Sequence, residues 1–314
     1  MHIDPYIVLG SAIVGLLVGM TGAGGGALMT PMLILLFGVK PSAAISSDLV
    51  AAVVMRPIGA GVHLRAGTVN LRLVKWLVLG SVPAAFLGAY LLRVMGDSKS
   101  AQHNIEVALG TALLIGAGAM ALRFLLDRRG GQHRTAAAAD IAPRPVLLVA
   151  LGIVGGIIVG ITSVGSGSLM IVGLLFIYPT IGANQLVGTD LTQAVPLTIA
   201  AALGALVFGH VEFGITGSLI LGSVPGVLVG SLLSSTVPDR YVRPSIAFVI
   251  FASGLKYVGL NTTALGWTLC AVLLAAAVGW LVFARPWSAA QAQAVVTPLP
   301  TDSEQPELLR QRRR

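Results

Sequence analysis

Cysteine is nearly absent. The one thiol, Cys270, lies in a late apolar run, which excludes an internal disulfide, a thiolate metal centre and a cysteine relay. Charge is scarce too. Asp, Glu, Lys and Arg make up 10% of the 314 residues, against about 25% in soluble domains. Such a chain cannot cover a globule with polar surface, and its 55% hydrophobic content points to an integral membrane protein. Short alternating strands are missing, so helices rather than a β-barrel are expected to span the bilayer. There is no HExxH, no paired-histidine spacing, no nucleophile–base pair and no Walker A lysine. A metal site, a cofactor and an enzymatic activity are therefore not expected. The opening "MHIDPY" lacks a basic n-region, so no cleavable signal peptide is expected.

Basic residues exceed acidic ones, giving a net charge of +8. No aromatic-basic platform accompanies them, so nucleic acid is not an expected partner. They cluster in loops and in the tail, as the positive-inside rule anticipates. The linker "DRRGGQHRTAAAADIAPRP", residues 127–145, reads as a cytoplasmic connection between two halves. A seventh full crossing is expected at 264–284. Residues 285–314 read as a disordered basic tail that could touch anionic lipid.

What the chain has in abundance is apolar sequence interrupted in two places. "MTGAGGGALM" (20–29) puts four glycines inside a membrane-type segment, and "ITSVGSGSLM" (161–170) repeats the interruption. The flanking runs 6–19, 27–37, 146–160 and 168–178 are short of the roughly 20 residues that a crossing helix needs. Half-helices are expected to begin at about Ala27 and Ser168.

The two halves are repeats. Gly19–Met29 matches Gly160–Met170 at an offset of 141. Beyond that, an offset of 142 pairs "SSDL" (46–49) with "GTDL" (188–191), and the "GSVP" at 80–83 with that at 222–225. Repeats of this kind mark many secondary transporters.

The basic residues choose between parallel and inverted repeats. If each interrupted segment is a hairpin returning to its own side, Arg65, Arg72, Lys75, Arg240, Arg243, the tail and Arg123, Arg128, Arg129, Arg134 and Arg144 are cytoplasmic. Only Lys40, Arg93, Lys99 and Lys256 then lie outside. Parallel repeats give no such bias. The expected fold is thus an all-α membrane protein of two inverted repeats, residues 1–126 and 146–260. Each holds one broken re-entrant hairpin and three transmembrane helices, and the 264–284 helix follows. The N-terminus is outside and the C-terminus inside.

Two hairpins entering from opposite faces would bring their tips together. Helix N-termini present free N–H groups and positive potential, and glycines admit a ligand close to the backbone. Thr21, Gly22, Gly24, Gly25 and Gly26 from the first break, with Thr162, Ser163, Gly165, Ser166 and Gly167 from the second, suit a small oxyanion. Close helix packing is the other use such glycines have. "GAGGGA" also brushes the dinucleotide-binding glycine pattern, but its flanks are not a βαβ unit.

Arg56 lies mid-segment, before Pro57. An intramembrane arginine is costly and by default marks a site. It could face the substrate anion, or pair with Asp48 or Asp190. These aspartates follow Ser47 and Thr189 near segment starts, where they could cap helices or carry protons. Gln193 stands one turn after Asp190. His63 and His210 fall at helix ends, where interfacial solvation suffices.

"GMTGAGGGALMTPMLILLFGVKPSAAISSDL", "GVHLRAGTVN" with "LGSVPAAFLG", and "ITSVGSGSLM" followed by "VGTDLTQAVPLTIAAALGALVFGHVEF" and "LGSVPGVLVGS" together resemble the sulfite exporter TauE/SafE family of membrane permeases. The resemblance covers about residues 7–260. It implies a plasma-membrane carrier of small anions such as sulfite, sulfoacetate or related sulfur-containing and organic oxyanions. Export coupled to protons or to the membrane potential is expected, with an uptake carrier or channel of the same fold as the alternative. Relatives of this type commonly have glycine-threonine-aspartate where this chain has Ser46, Ser47 and Asp48, and often a lysine where Arg56 stands. The placement of Cys270 separates the chain from cysteine-dependent thiosulfate transporters. The expected partners are the small anion and membrane lipid; oligomeric state is left open.

Overall fold

Local chemistry sets the helix limits. Pro41 opens α3 (Pro41–Arg65) and Pro145 opens α6 (Pro145–Thr162), where a missing N–H removes no helical bond. The Asn70 side chain caps α4 (Leu71–Met95), accepting from the Arg72 and Leu73 N–H groups at 3.1 and 3.4 Å. Gly38, left-handed at φ 64°, ends α2 (Gly26–Phe37). The remaining helices are α1 (Pro5–Thr21), α5 (Lys99–Arg129), α7 (Ser168–Ile177), α8 (Ala183–Phe208), α9 (Phe213–Leu233) and α10 (Asp239–Tyr257). The structure, a computed structural model, describes residues 3–21, 25–96, 98–129, 142–179, 181–233, 239–261, 263–272 and 274. Gly22 and Gly24, most of the linker and the 285–314 tail lie outside the described residues, as does most of the 264–284 segment. Helices α1–α10 belong to one compact unit ending at Leu260. In the unit that begins at Asn261, the described part is a short apolar helix, Thr263–Val272.

The described residues are helical throughout their regular structure, with no strand among them. Among the described residues, six helices are long and apolar enough to cross a bilayer: Pro41–Arg65, Leu71–Met95, Lys99–Leu122, Pro145–Thr162, Gln185–Phe208 and Phe213–Leu233. Large apolar side chains such as Tyr6, Leu36, Val94, Phe176 and Leu232 stand exposed around them. Lipid is the solvent that tolerates such a surface. The chain is a multi-pass membrane protein.

One expectation about lengths is corrected. The run 146–160 was expected to be too short to cross, yet α6 reaches 18 residues. Its glycines do not break it, because in a water-free surround the backbone has no better partner than the helix itself. The described apolar part of α10, Pro244–Tyr257, is instead among the shorter helices.

The glycines of α6 have a packing use. α6 lies along α4, and α1 lies along α9. A Cβ at Gly156 would stand 2.5 Å from the Ser81 carbonyl, and one at Gly15 would stand 2.6 Å from that of Ser223. Gly152, Gly156 and Gly160 on α6, and Gly222, Gly226 and Gly230 on α9, form stripes at a spacing of four. Backbones approach closely along such stripes, and dispersion holds helices together where lipid offers no hydrophobic drive.

These two interfaces exchange under the repeat. α1 and α6 are counterparts, as are α4 and α9, so each repeat lends its first helix to the other's fourth. α3 meets its counterpart α8, and α5 meets α10. Polar contacts follow the same rule. The Asn70 N–H donates to Thr189 Oγ1 at 3.1 Å, and the Glu212 N–H donates to Ser47 Oγ at 3.2 Å. Both members of one bond map onto the other at the offset of 142.

The correspondence fails instructively at Ser223. Its counterpart Ser81 donates to Gln193 Oε1 at 3.3 Å. Gln193 maps onto Ala51, and the buried Ser223 hydroxyl finds no partner among the described residues. An unsatisfied buried hydroxyl costs about 1–3 kcal/mol. Ser223→Ala is therefore expected to hold or raise the unfolding temperature in detergent, and Ser81→Ala to lower it. A lower value for Ser223→Ala would contradict this assignment.

Candidate functional site

The half-helices begin at Gly26 and Ser168. The first break lies between Thr21, the last residue of α1, and Gly26. Gly25 there is right-handed at φ −54°, and its carbonyl accepts from the N–H groups of Leu28 and Met29. The second break is built differently. Ser163 is left-handed at φ 59°, and Gly165 and Gly167 take φ 115° and 112°. Those last two values lie outside what a side chain tolerates easily.

The two breaks meet. Gly26 is buried, and a Cβ there would collide with the backbone carbonyl of Ser163. Only glycine permits this approach. The start of α2 thus rests on the end of α6, although the two lie more than a hundred residues apart in sequence.

Asp48 fastens the junction. Its Oδ2 accepts from Thr30 Oγ1 of α2 at 2.8 Å and from Ser163 Oγ at 2.7 Å. Asp48 is 1% exposed. Asp190, equally buried, has Oδ1 accepting from Gln193 Nε2 at 3.4 Å. Neither aspartate is a helix cap. Asp48 lies about two turns beyond Pro41, and Asp190 about two turns beyond Ala183. The capping alternative raised by the sequence is thereby removed.

Arg56 lies on α3 within electrostatic reach of both carboxylates. It is 8% exposed, and neither Nη1 nor Nη2 has a hydrogen-bond partner among the described residues. A guanidinium carries five N–H donors, and a buried charge left without bonds costs several kcal/mol. The repeat places Thr198 at the matching position of α8, where its hydroxyl donates to the Ala194 and Val195 carbonyls. The cation therefore stands in one repeat alone, and the junction is electrically asymmetric.

Other sequence candidates are placed as follows. Thr162 Oγ1 donates to the Ile158 carbonyl at 2.6 Å and accepts from the Val164 N–H at 3.2 Å, so it serves its own helix end. Ser166 is buried beside the left-handed glycines. The Thr21 side chain is outside the described residues, as are Gly22 and Gly24. His63 Nδ1 lies 3.0 Å from Thr68 Oγ1 at the end of α3, and His210 stands exposed in a loop. Among the described residues no cluster of His, Cys, Asp and Glu could hold a metal. Thr30 escaped sequence reasoning. Its signal was a hydroxyl inside the apolar half-helix "GALMTPMLILLF", one turn past the break.

The junction therefore offers a buried carboxylate and a glycine-to-backbone contact, and within electrostatic reach of that carboxylate stands a buried guanidinium, itself within reach of Asp190, whose Nη groups have no partner among the described residues. Comparison with known proteins agrees with a transport role. The family model described as "Sulfite exporter TauE/SafE" matches residues 7–257. The "Probable membrane transporter protein YjnA" of Bacillus subtilis (strain 168) is 39% identical over 253 residues, covering 80% of this chain and 98% of the relative. YdhB of the same organism, also named a probable membrane transporter protein, is 24% identical over 209 residues, covering 66% of this chain and 80% of the relative. No solved structure matches. The chain belongs to the sulfite exporter TauE/SafE family and is a membrane transporter of that family.

Proposed function

We propose that the chain is a secondary transporter of small oxyanions, with sulfite or a sulfonate as cargo, and that it exports them across the plasma membrane. One observation carries this reading: the buried Arg56 guanidinium, whose two Nη groups have no described partner, within electrostatic reach of the carboxylate that ties the two touching helix breaks. An oxyanion accepts bidentate, charge-assisted bonds from such a group. The N-termini of α2 and α7 add free N–H groups and favourable dipoles. The family's name supplies the sulfur chemistry.

The repeats are inverted in this proposal, with α1–α2 and α6–α7 as hairpins that return to their own sides. The shortness of α2 and α7, 12 and 10 residues, supports this. The charge bias and the exchanged pairing of α1 with α9 and α6 with α4 support it too. The C-terminus is cytoplasmic in this arrangement. Cargo held at the repeat junction can then be offered to either side by rocking one repeat against the other.

Counterflow in proteoliposomes tests the substrate class. Vesicles preloaded with unlabelled sulfite, thiosulfate, sulfoacetate or a simple carboxylate are given the labelled anion outside. Exchange of sulfite or sulfoacetate above protein-free vesicles is the expected result. Exchange of carboxylates alone would overturn the sulfur-oxyanion assignment.

A further inference from the structure

We infer that Asp48 takes up a proton as the anion binds at Arg56, and that this proton loosens the tie between the two helix breaks. The inference rests on the oxyanion reading above and names the coupling of that site.

The tie is a single oxygen. Asp48 Oδ2 accepts from Thr30, which belongs to the half-helix after the first break, and from Ser163, which opens the second. An ionised carboxylate accepts both bonds without conflict. A proton on Oδ2 turns an acceptor into a donor. Neutralising the carboxylate removes the charge assistance from both bonds, and the hold of α2 on the end of α6 weakens. Asp48 joins both breaks through side-chain bonds, so its protonation state is read directly by their spacing.

Charge balance makes the proton follow the anion. Among the described residues, Arg56 of α3 lies within electrostatic reach of Asp48, and Asp190 of α8 lies within reach of Arg56. Asp190 is the sole titratable residue of α8, and α2 and α9, which also pack on α3, have none. On α5, which touches α3 too, His103 and Glu106 are 66% and 35% exposed and face each other at 4.0 Å. His63 and Arg65 lie at the far end of α3. Two ionised carboxylates against one guanidinium leave one negative charge, and an entering monoanion makes two. Apolar surroundings resist that accumulation, and one proton removes the excess. Anion and proton therefore bind cooperatively, and by linkage each raises the affinity of the other.

The test uses the full chain in proteoliposomes with labelled sulfite, a pH-reporting dye inside and protein-free vesicles as baseline. Wild type is expected to move protons with sulfite and to accumulate sulfite against an imposed pH gradient. Asp48→Asn keeps an acceptor oxygen but cannot titrate. Measured against its own counterflow rate, it is expected to lose gradient-driven accumulation by about tenfold or more. Asp48→Glu, which titrates, is expected to retain proton movement and guards against a folding defect. Proton movement undiminished in Asp48→Asn, or lost in Asp190→Asn alone, would overturn the role of Asp48. Wild-type counterflow without proton movement would overturn the coupling but leave the oxyanion reading intact. Absence of wild-type counterflow for every oxyanion would overturn both.

Discussion

Arg56→Ala is expected to reduce sulfite exchange at least about a hundredfold while Arg56→Lys keeps a measurable fraction. Neither Nη group of Arg56 has a hydrogen-bond partner among the described residues. Each charge-assisted bond they give an oxyanion contributes about 1.5–3 kcal/mol. Loss of two such bonds corresponds to about two to four orders of magnitude in affinity. Lysine restores the charge as a point donor without the planar fork, so it should weaken binding rather than abolish it. Initial rates of labelled sulfite counterflow, at matched amounts of monodisperse protein, check both variants. Equal rates for Arg56→Ala and wild type would remove the guanidinium from the site.

Gly26→Ala is expected to abolish transport, and Gly25→Ala to leave most of it. The two glycines are adjacent, but their surroundings differ. A Cβ on Gly26 meets the backbone carbonyl of Ser163, which no rotamer change can move aside. The breaks would have to separate, and the Asp48 bonds to Thr30 and Ser163 would stretch with them. Overpacking of this kind costs about 1–3 kcal/mol, and here the displaced parts are the proposed site itself. Among the described residues, a Cβ on Gly25 meets only the Met55 methyl at 3.4 Å, and φ −54° suits any residue. Paired counterflow measurements on the two variants separate a general intolerance of the glycine run from a specific need at Gly26.

Much of this architecture was legible in the residues. Clustered glycines lower helix propensity, so the breaks were visible in the residues, and α7 begins at Ser168 as expected. The constant offset exposed the repeat through Asp48/Asp190 and Pro83/Pro225. What spacing does not show is who packs on whom. The small-residue stripes of α6 and α9 could have served a ligand or a neighbour, and contact with α4 and α1 decides for the neighbour. The aspartates left capping open for a local reason. Both follow a hydroxyl residue near the start of an apolar run, which resembles a cap. The helices begin earlier than the apolar runs, at Pro41 and Ala183, so the carboxylates are carried inside. The tie from Asp48 to Ser163 crosses between repeats, and no local pattern encodes such a partner.

The central claim is that the oxyanion sits on Arg56 where the two breaks meet. Selenite, the selenium analogue of sulfite, offers the most direct measurement. Anomalous diffraction from selenite-soaked crystals of the full chain should place one selenium peak within about 4 Å of the Arg56 guanidinium, the reach of a charge-assisted bond to a bound oxyanion. The peak should vanish in Arg56→Ala crystals. A peak elsewhere along the helices, or one that persists without Arg56, would contradict the account.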